Sequence, residues 1–228
     1  MALILSIETS TPICSVALHE HGRILTAQHL FVNQSHSVKL TSLIQQVLAN
    51  TDRHLHALDA IAVAKGPGSY TGLRIGTATA KGLCYSLSKP LIAVNSLEAM
   101  ALAAHKYLPE DYLICPMIDA RRMEVYCALY DWRMRTIQET EAKIMDEHSF
   151  KDILAKAVIV FLGDGAEKCK ETFKLQSNAR FVDNFYPTAE SVGQLAFEAF
   201  KQNVFEEVAY FEPFYLKEFV TKVQAVKS

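Results

Sequence analysis

The residues of this chain that could do chemistry gather in one run, Gly66-Pro67-Gly68-Ser69-Tyr70-Thr71-Gly72-Leu73-Arg74-Ile75-Gly76. A glycine-rich loop ahead of a helix is a form that cradles phosphates, and a P-loop requires Gly-x4-Gly-Lys-Ser/Thr. Here Thr71 stands five residues after Gly66 and Leu73 follows Gly72, so that chemistry is excluded. Glycine accepts positive φ and proline fixes its own, which makes the run a sharp, preset turn. Ser69 or Thr71 then caps the helix by accepting from its free N–H groups. Along that helix Gly72, Gly76, Ala80 and Cys84 recur every four residues as one smooth stripe. A glycine costs an exposed helix about 1 kcal/mol against alanine, so Gly72, Gly76 and Gly82 imply close packing in compensation. The stripe could pack on the chain's own sheet or on a partner, and the sequence leaves both open.

Other reactive side chains are scattered. Among the eight histidines, His19 and His21 flank a turn, and His54 and His56 lie in a polar connection. His36 has Leu40, not a second ligand, one helical turn on. Surface or capping roles are expected for all of them. The five cysteines, Cys14, Cys84, Cys115, Cys127 and Cys169, are odd in number and form no CxxC. That pattern argues for buried, reduced thiols and against a zinc site. Apolar surroundings raise a thiol's pKa rather than activate it, as expected for Cys14 and Cys84. No Gly-x-Ser-x-Gly nucleophile elbow occurs.

The elements that would position these residues follow from periodicity. Short apolar runs at 2–7, 14–18 and 23–31 read as a three-stranded antiparallel opening, with His21-Gly22 at a turn. Leu40, Leu43, Ile44, Val47 and Leu48 fall at helical spacing over about 37–49, with Ser35 or Ser37 as cap. A strand at 60–64 enters the glycine loop, the small-residue helix runs from Thr71 to Leu87, and a strand at 91–94 precedes a helix over 96–104. The polar break Pro109-Glu110-Asp111 marks a boundary between lobes. Strands at 112–118 and 123–130 form a hairpin, a helix is expected at 147–155, a strand at 158–162 and a helix from about Thr188. The tail carries Phe205, Tyr210, Phe211, Phe214, Tyr215 and Phe219, so part of it should dock. This order points to α/β or α+β layers of mixed sheet. A formal charge of −2 gives no electrostatic case for tight nucleic-acid binding by the chain alone. No apolar run approaches the roughly 20 residues that span a bilayer, and no secretory signal opens the chain. A soluble, cytoplasmic protein is expected.

Ile4-Leu5-Ser6-Ile7-Glu8-Thr9-Ser10, the long glycine motif, Ala80-Lys81-Gly82-Leu83 and Asp119-Ala120-Arg121-Arg122-Met123-Glu124-Val125-Tyr126 together resemble the TsaB (YeaZ) family. Beyond Tyr130 the resemblance rests mainly on Gly163-Asp164-Gly165. It implies an actin-like, Hsp70-like, sugar-kinase-like fold of two ribonuclease-H-like lobes, here residues 1–108 and 109–228. It implies a bacterial, non-catalytic protein that holds and activates the larger paralogue TsaD. The product would be N6-threonylcarbamoyladenosine at position 37 of tRNAs reading ANN codons. The P-loop ATPase TsaE would reset the complex, and tRNA would be met only through it. On this reading the helix from Thr71 to Leu87 presents Gly72, Gly76 and Ala80 to the partner, with Arg74 and Lys81 at the rim. The helix beside it adds Leu40 and Leu43. The same ridge suits a two-fold contact, so a homodimer is expected when the partner is absent.

The catalytic paralogue carries a metal-binding His-x-x-x-His; Ser96 and Met100 stand at those positions here, so no metal and no intrinsic catalysis are expected. Superfamily members cup phosphates in the hairpin after the first strand. In this chain that turn is Glu8-Thr9-Ser10-Thr11-Pro12, rich in hydroxyls but without the glycine that permits close approach. Gly163-Asp164-Gly165 would form the opposite wall. No intrinsic cofactor is expected, and weak ADP or ATP binding at a shared interface through Thr9, Ser10, Gly163 and Gly165 is left open. The alternative is a stand-alone enzyme of the same fold, either a small ATPase or phosphotransferase or a glycoprotease-like metallopeptidase.

Overall fold

Leu3–Glu8 (β1), Cys14–Glu20 (β2) and Arg23–Leu30 (β3) form the antiparallel meander that the opening sequence implies. His21 and Gly22 both take positive φ, 52° and 75°, the conformation a two-residue hairpin turn needs. A computed structural model describes residues 2–32 and 36–217. Ala60–Gly66 (β4) adds parallel to β1, and Leu91–Asn95 (β5) adds parallel to β4, giving the order β3-β2-β1-β4-β5.

Alternation decides which core each strand residue serves. Leu5, Ile7, Val16 and Leu18 point to one side, into a core shared with His36–Ala49 (α1) and Tyr70–Leu87 (α2). On the other side Ser6, Ser15 and His19 are fully buried beneath Ala189–Lys201 (α5). The Ala189 amide donates to Ser15 Oγ at 2.9 Å, and a Cβ on Gly193 would overlap the His19 ring. His19 therefore lies in the interior rather than at the surface as expected, because a glycine in α5 leaves room for its ring. His36 is also buried, 8% exposed. Ser37 lies inside α1 rather than ahead of it, and Ser35 is outside the described residues.

The second sheet repeats the first. Leu113–Asp119 (β6), Glu124–Tyr130 (β7) and Thr136–Ile144 (β8) are antiparallel, and Ile159–Leu162 (β9) and Ala179–Val182 (β10) add in parallel. Its order, β8-β7-β6-β9-β10, is that of the first sheet. Strands β8 and β10 were not expected from the sequence, and the helix expected at 147–155 is only Lys151–Leu154 (α4).

The helices do not respect the strand boundary. Ser96–His105 (α3) packs on β6 and β7 of the second sheet, while α5 crosses back onto the first. Residues 189–201 thus pack on the first sheet although they lie in the second half of the chain. The tail follows: Glu206 bridges to Leu91, Phe211 is buried against the first core, and Tyr210 stays exposed. Phe219 lies outside the described residues. All five cysteines are buried and unpaired, and burial pushes the Cys14 and Cys84 thiols up to about 12. No helix among the described residues is long and apolar enough to cross a membrane.

Candidate functional site

At the end of β4 the chain turns through Gly66, φ 105°, and a cis Gly66–Pro67 bond into α2. Ser69 is the cap, its Oγ accepting from the Gly72 amide at 3.3 Å. The same turn closes over the β1–β2 connection. The Ser69 amide donates to the Ser10 carbonyl at 2.7 Å, and the Thr9 hydroxyl donates to the Gly72 carbonyl at 2.9 Å. A Cβ on Gly68 would overlap Ser10, and one on Gly72 or Gly76 would overlap Thr9. The glycines are therefore small because their own chain's β1 end lies against them.

The turn sealed in this way is Glu8 to Thr11, at most 1% exposed. Glu8 Oε1 accepts from the Ser10 amide at 2.5 Å, while Glu8 Oε2 and Thr11 Oγ1 find no partner among the described residues. Burial pushes the Glu8 carboxyl up to about 7 despite that hydrogen bond. Thr9 and Ser10 thus face α2, not solvent, and the Thr9 hydroxyl is already committed.

The two faces of α2 differ accordingly. Gly72, Gly76 and Ala80, expected at a partner interface, are buried, as are Leu40 and Leu43 of α1. Lys81, expected at the rim, instead donates through Nζ to the carbonyls of Ala209 at 3.1 Å and Phe211 at 2.9 Å. Arg74 alone of the seven is exposed, with its guanidinium 5.5 Å from the Tyr70 ring centre. The outward arc is Thr71, Arg74, Ala78, Gly82 and Tyr85, and α1 beside it exposes Val38, Thr41 and Gln45. Nothing lies within 4 Å of a Cβ built on Gly82. A signal for this phase was present: Leu73, Leu83 and Leu87 share an arc with the Gly72/Gly76/Ala80 stripe at 3.6 residues per turn. Apolar bulk on that arc turns it inward.

In the second lobe, Gly163 and Gly165 are buried against the backbone of Met117 and Ile118. Beside them a cavity of about 140 Å³ is lined by Asp164, Glu167 and Asp183 with no lysine or arginine, a poor match for a polyphosphate. Ser96 and Met100 are buried in α3. Among the described residues no group of three or more His, Cys, Asp or Glu side chains is placed to hold a metal.

A sheet of this order built twice, with helices shared between the halves, is the actin-like, Hsp70-like, sugar-kinase-like fold. The family model described as "TsaD: tRNA N6-adenosine threonylcarbamoyltransferase" matches residues 30–226. The chain is 31% identical over 221 residues to the tRNA threonylcarbamoyladenosine biosynthesis protein TsaB of Escherichia coli (strain K12), covering 94% of each. It is 38% identical over 136 residues to TsaB of Bacillus subtilis (strain 168), a match spanning 60% of this chain and 58% of that relative. A Pseudomonas aeruginosa crystal structure, described as an uncharacterized protein with similarity to peptidase YEAZ, superposes with a TM-score of 0.85 at 29% identity. That superposition covers 95% of this chain and all of the other. The chain belongs to the TsaB (YeaZ) family of tRNA threonylcarbamoyladenosine biosynthesis proteins.

Proposed function

We propose that this chain is a non-catalytic scaffold and activator for a TsaD-type threonylcarbamoyltransferase. The product would be N6-threonylcarbamoyladenosine at position 37 of tRNAs reading ANN codons, in the cytoplasm. The observation that carries this reading is the asymmetry of α2. Its inner face fills the hairpin where related folds admit phosphate, while its outer face, with α1, stays uncovered and smooth at Ala78 and Gly82. Small residues let a partner helix approach closely, and Arg74 and Tyr85 border them as polar and aromatic anchors. The same face would serve a homodimer when the partner is absent. A TsaE-type ATPase would act on the assembled complex, which alone would meet tRNA, and any nucleotide would bind at the shared interface.

Size-exclusion chromatography with light scattering tests this on the chain, the TsaD-type protein of the same organism and their mixture. A 1:1 or larger complex is expected, lost in Gly82→Arg, whose side chain enters open space and leaves the fold intact. Separate elution of the folded components, with nucleotide present, would overturn the reading. ATP turnover by the purified chain alone would favour a stand-alone enzyme instead.

A further inference from the structure

We infer that residues 206–217 form a strap that holds the glycine loop down on the Glu8–Thr11 turn, and that its release uncovers that turn. Three layers are stacked here. Innermost is the turn, with Glu8 Oε2 and Thr11 Oγ1 buried and unpartnered among the described residues. Over it lies the glycine loop, joined through the Ser69 amide to the Ser10 carbonyl at 2.7 Å. Over the loop lies the strap. The Phe214 amide donates to the Lys65 carbonyl at 2.7 Å, a Cβ on Gly66 would come 3.0 Å from the Phe214 carbonyl oxygen, and the Tyr215 ring packs tilted against Tyr70 with ring centres 4.8 Å apart.

The strap is also fixed at both ends and near its middle. The Glu206 amide donates to the Leu91 carbonyl at 2.9 Å, Lys81 Nζ holds the Ala209 and Phe211 carbonyls, and Lys217 pairs with Glu124 on β7 of the second lobe. It therefore runs from β5 of the first sheet to β7 of the second. Apart from the single bridge at Glu206 it has no strand or helix of its own, and side chains supply most of its anchors. Segments held in this way open at lower free energy than sheet cores. The turn beneath gains little from its own burial, because unpartnered polar atoms are costly out of water. Closure is thus imposed from above, and loosening the strap lets the loop lift and water reach Glu8 and Thr11. No partner is needed for this.

Amide hydrogen exchange of the full chain at neutral pH, followed by NMR, tests the strap with Tyr215→Ala and, separately, Lys81→Met. Tyr215 is 37% exposed, so its truncation spares the core, and methionine keeps the packed stem of Lys81. The Ser69 and Ser10 amides are expected to exchange at least tenfold faster in both variants, with Leu5 and Val63 unchanged. Faster exchange along 209–215 with Ser69 at its wild-type rate would overturn the proposal. So would equal acceleration of Leu5 and Val63, which would mean global unfolding.

Discussion

Glu8 is fully buried, and its carboxyl is pushed up to about 7 from the usual 4.5. The folded state holds this proton in the range where an unfolded chain releases it, so stability falls as pH rises between these values and is level above them. The span corresponds to about 3 kcal/mol at 1.36 kcal/mol per unit. Glu8→Gln keeps the acceptor for the Ser10 amide without the charge. It should be more stable than wild type at pH 8 by about that amount, and equal to it near pH 4.5. Urea melts across this range check it, and parallel curves would refute it. The glycines of α2 make a second contrast. Gly82→Ala should add about 1 kcal/mol because the site is open helix. Gly76→Ala should cost about 1–3 kcal/mol by overpacking against Thr9. Thermal melts of the two variants should move in opposite directions. The composition of this helix was legible in the sequence but which face meets the chain's own sheet was not, because small-residue spacing reports close approach and not what approaches.

Among the elements, β3 and α5 meet through His29 Nε2 and Glu190 Oε1 at 2.7 Å. The hydrogen bond to Glu190 raises the His29 pKa, and His29 holds the Glu190 carboxyl low against the opposing effect of burial. The histidine's contribution is complete below its unfolded pKa and fades as pH rises through its raised folded value. The carboxylate's contribution is complete above its unfolded pKa and fades as pH falls through its lowered one. His29→Ala should therefore cost about 1 kcal/mol near pH 6 and less at pH 8, measurable by chemical denaturation. A loss independent of pH would count against the pair. Strands with strong alternation, such as β1 and β2, were readable from sequence alone. Strand β8 was not, since Glu139, Glu141 and Lys143 leave no apolar stripe; as a sheet edge it is a place where charges discourage unwanted pairing. The helix expected from Glu147 is interrupted at Phe150, whose φ of 59° is left-handed, directly after the turn in which Asp146 accepts from the His148 amide at 3.0 Å and the Ser149 hydroxyl at 2.8 Å.

At the scale of the molecule, neither lobe is complete in its own stretch of sequence. The first sheet lacks α5 until the chain has passed through the second, and α3 from the first half covers the second sheet. Residues 1–108 made alone should show no cooperative melt, whereas the whole chain should unfold in one transition by calorimetry. Two transitions, or a folded 1–108 fragment, would show the lobes to be independent. This exchange of helices leaves no local trace, because a sequence pattern reports that a face is apolar, not which sheet it covers. During synthesis on a ribosome the first sheet must wait for residues 189–201 before its second face is covered. That face carries Ser6, Ser15 and His19 beside Ile4, Ile92, Val94 and the alanines at 60, 62 and 64. A half-made chain thus shows water hydroxyls and an imidazole set among aliphatic side chains, and it keeps that mixed surface exposed until residues 189–201 arrive.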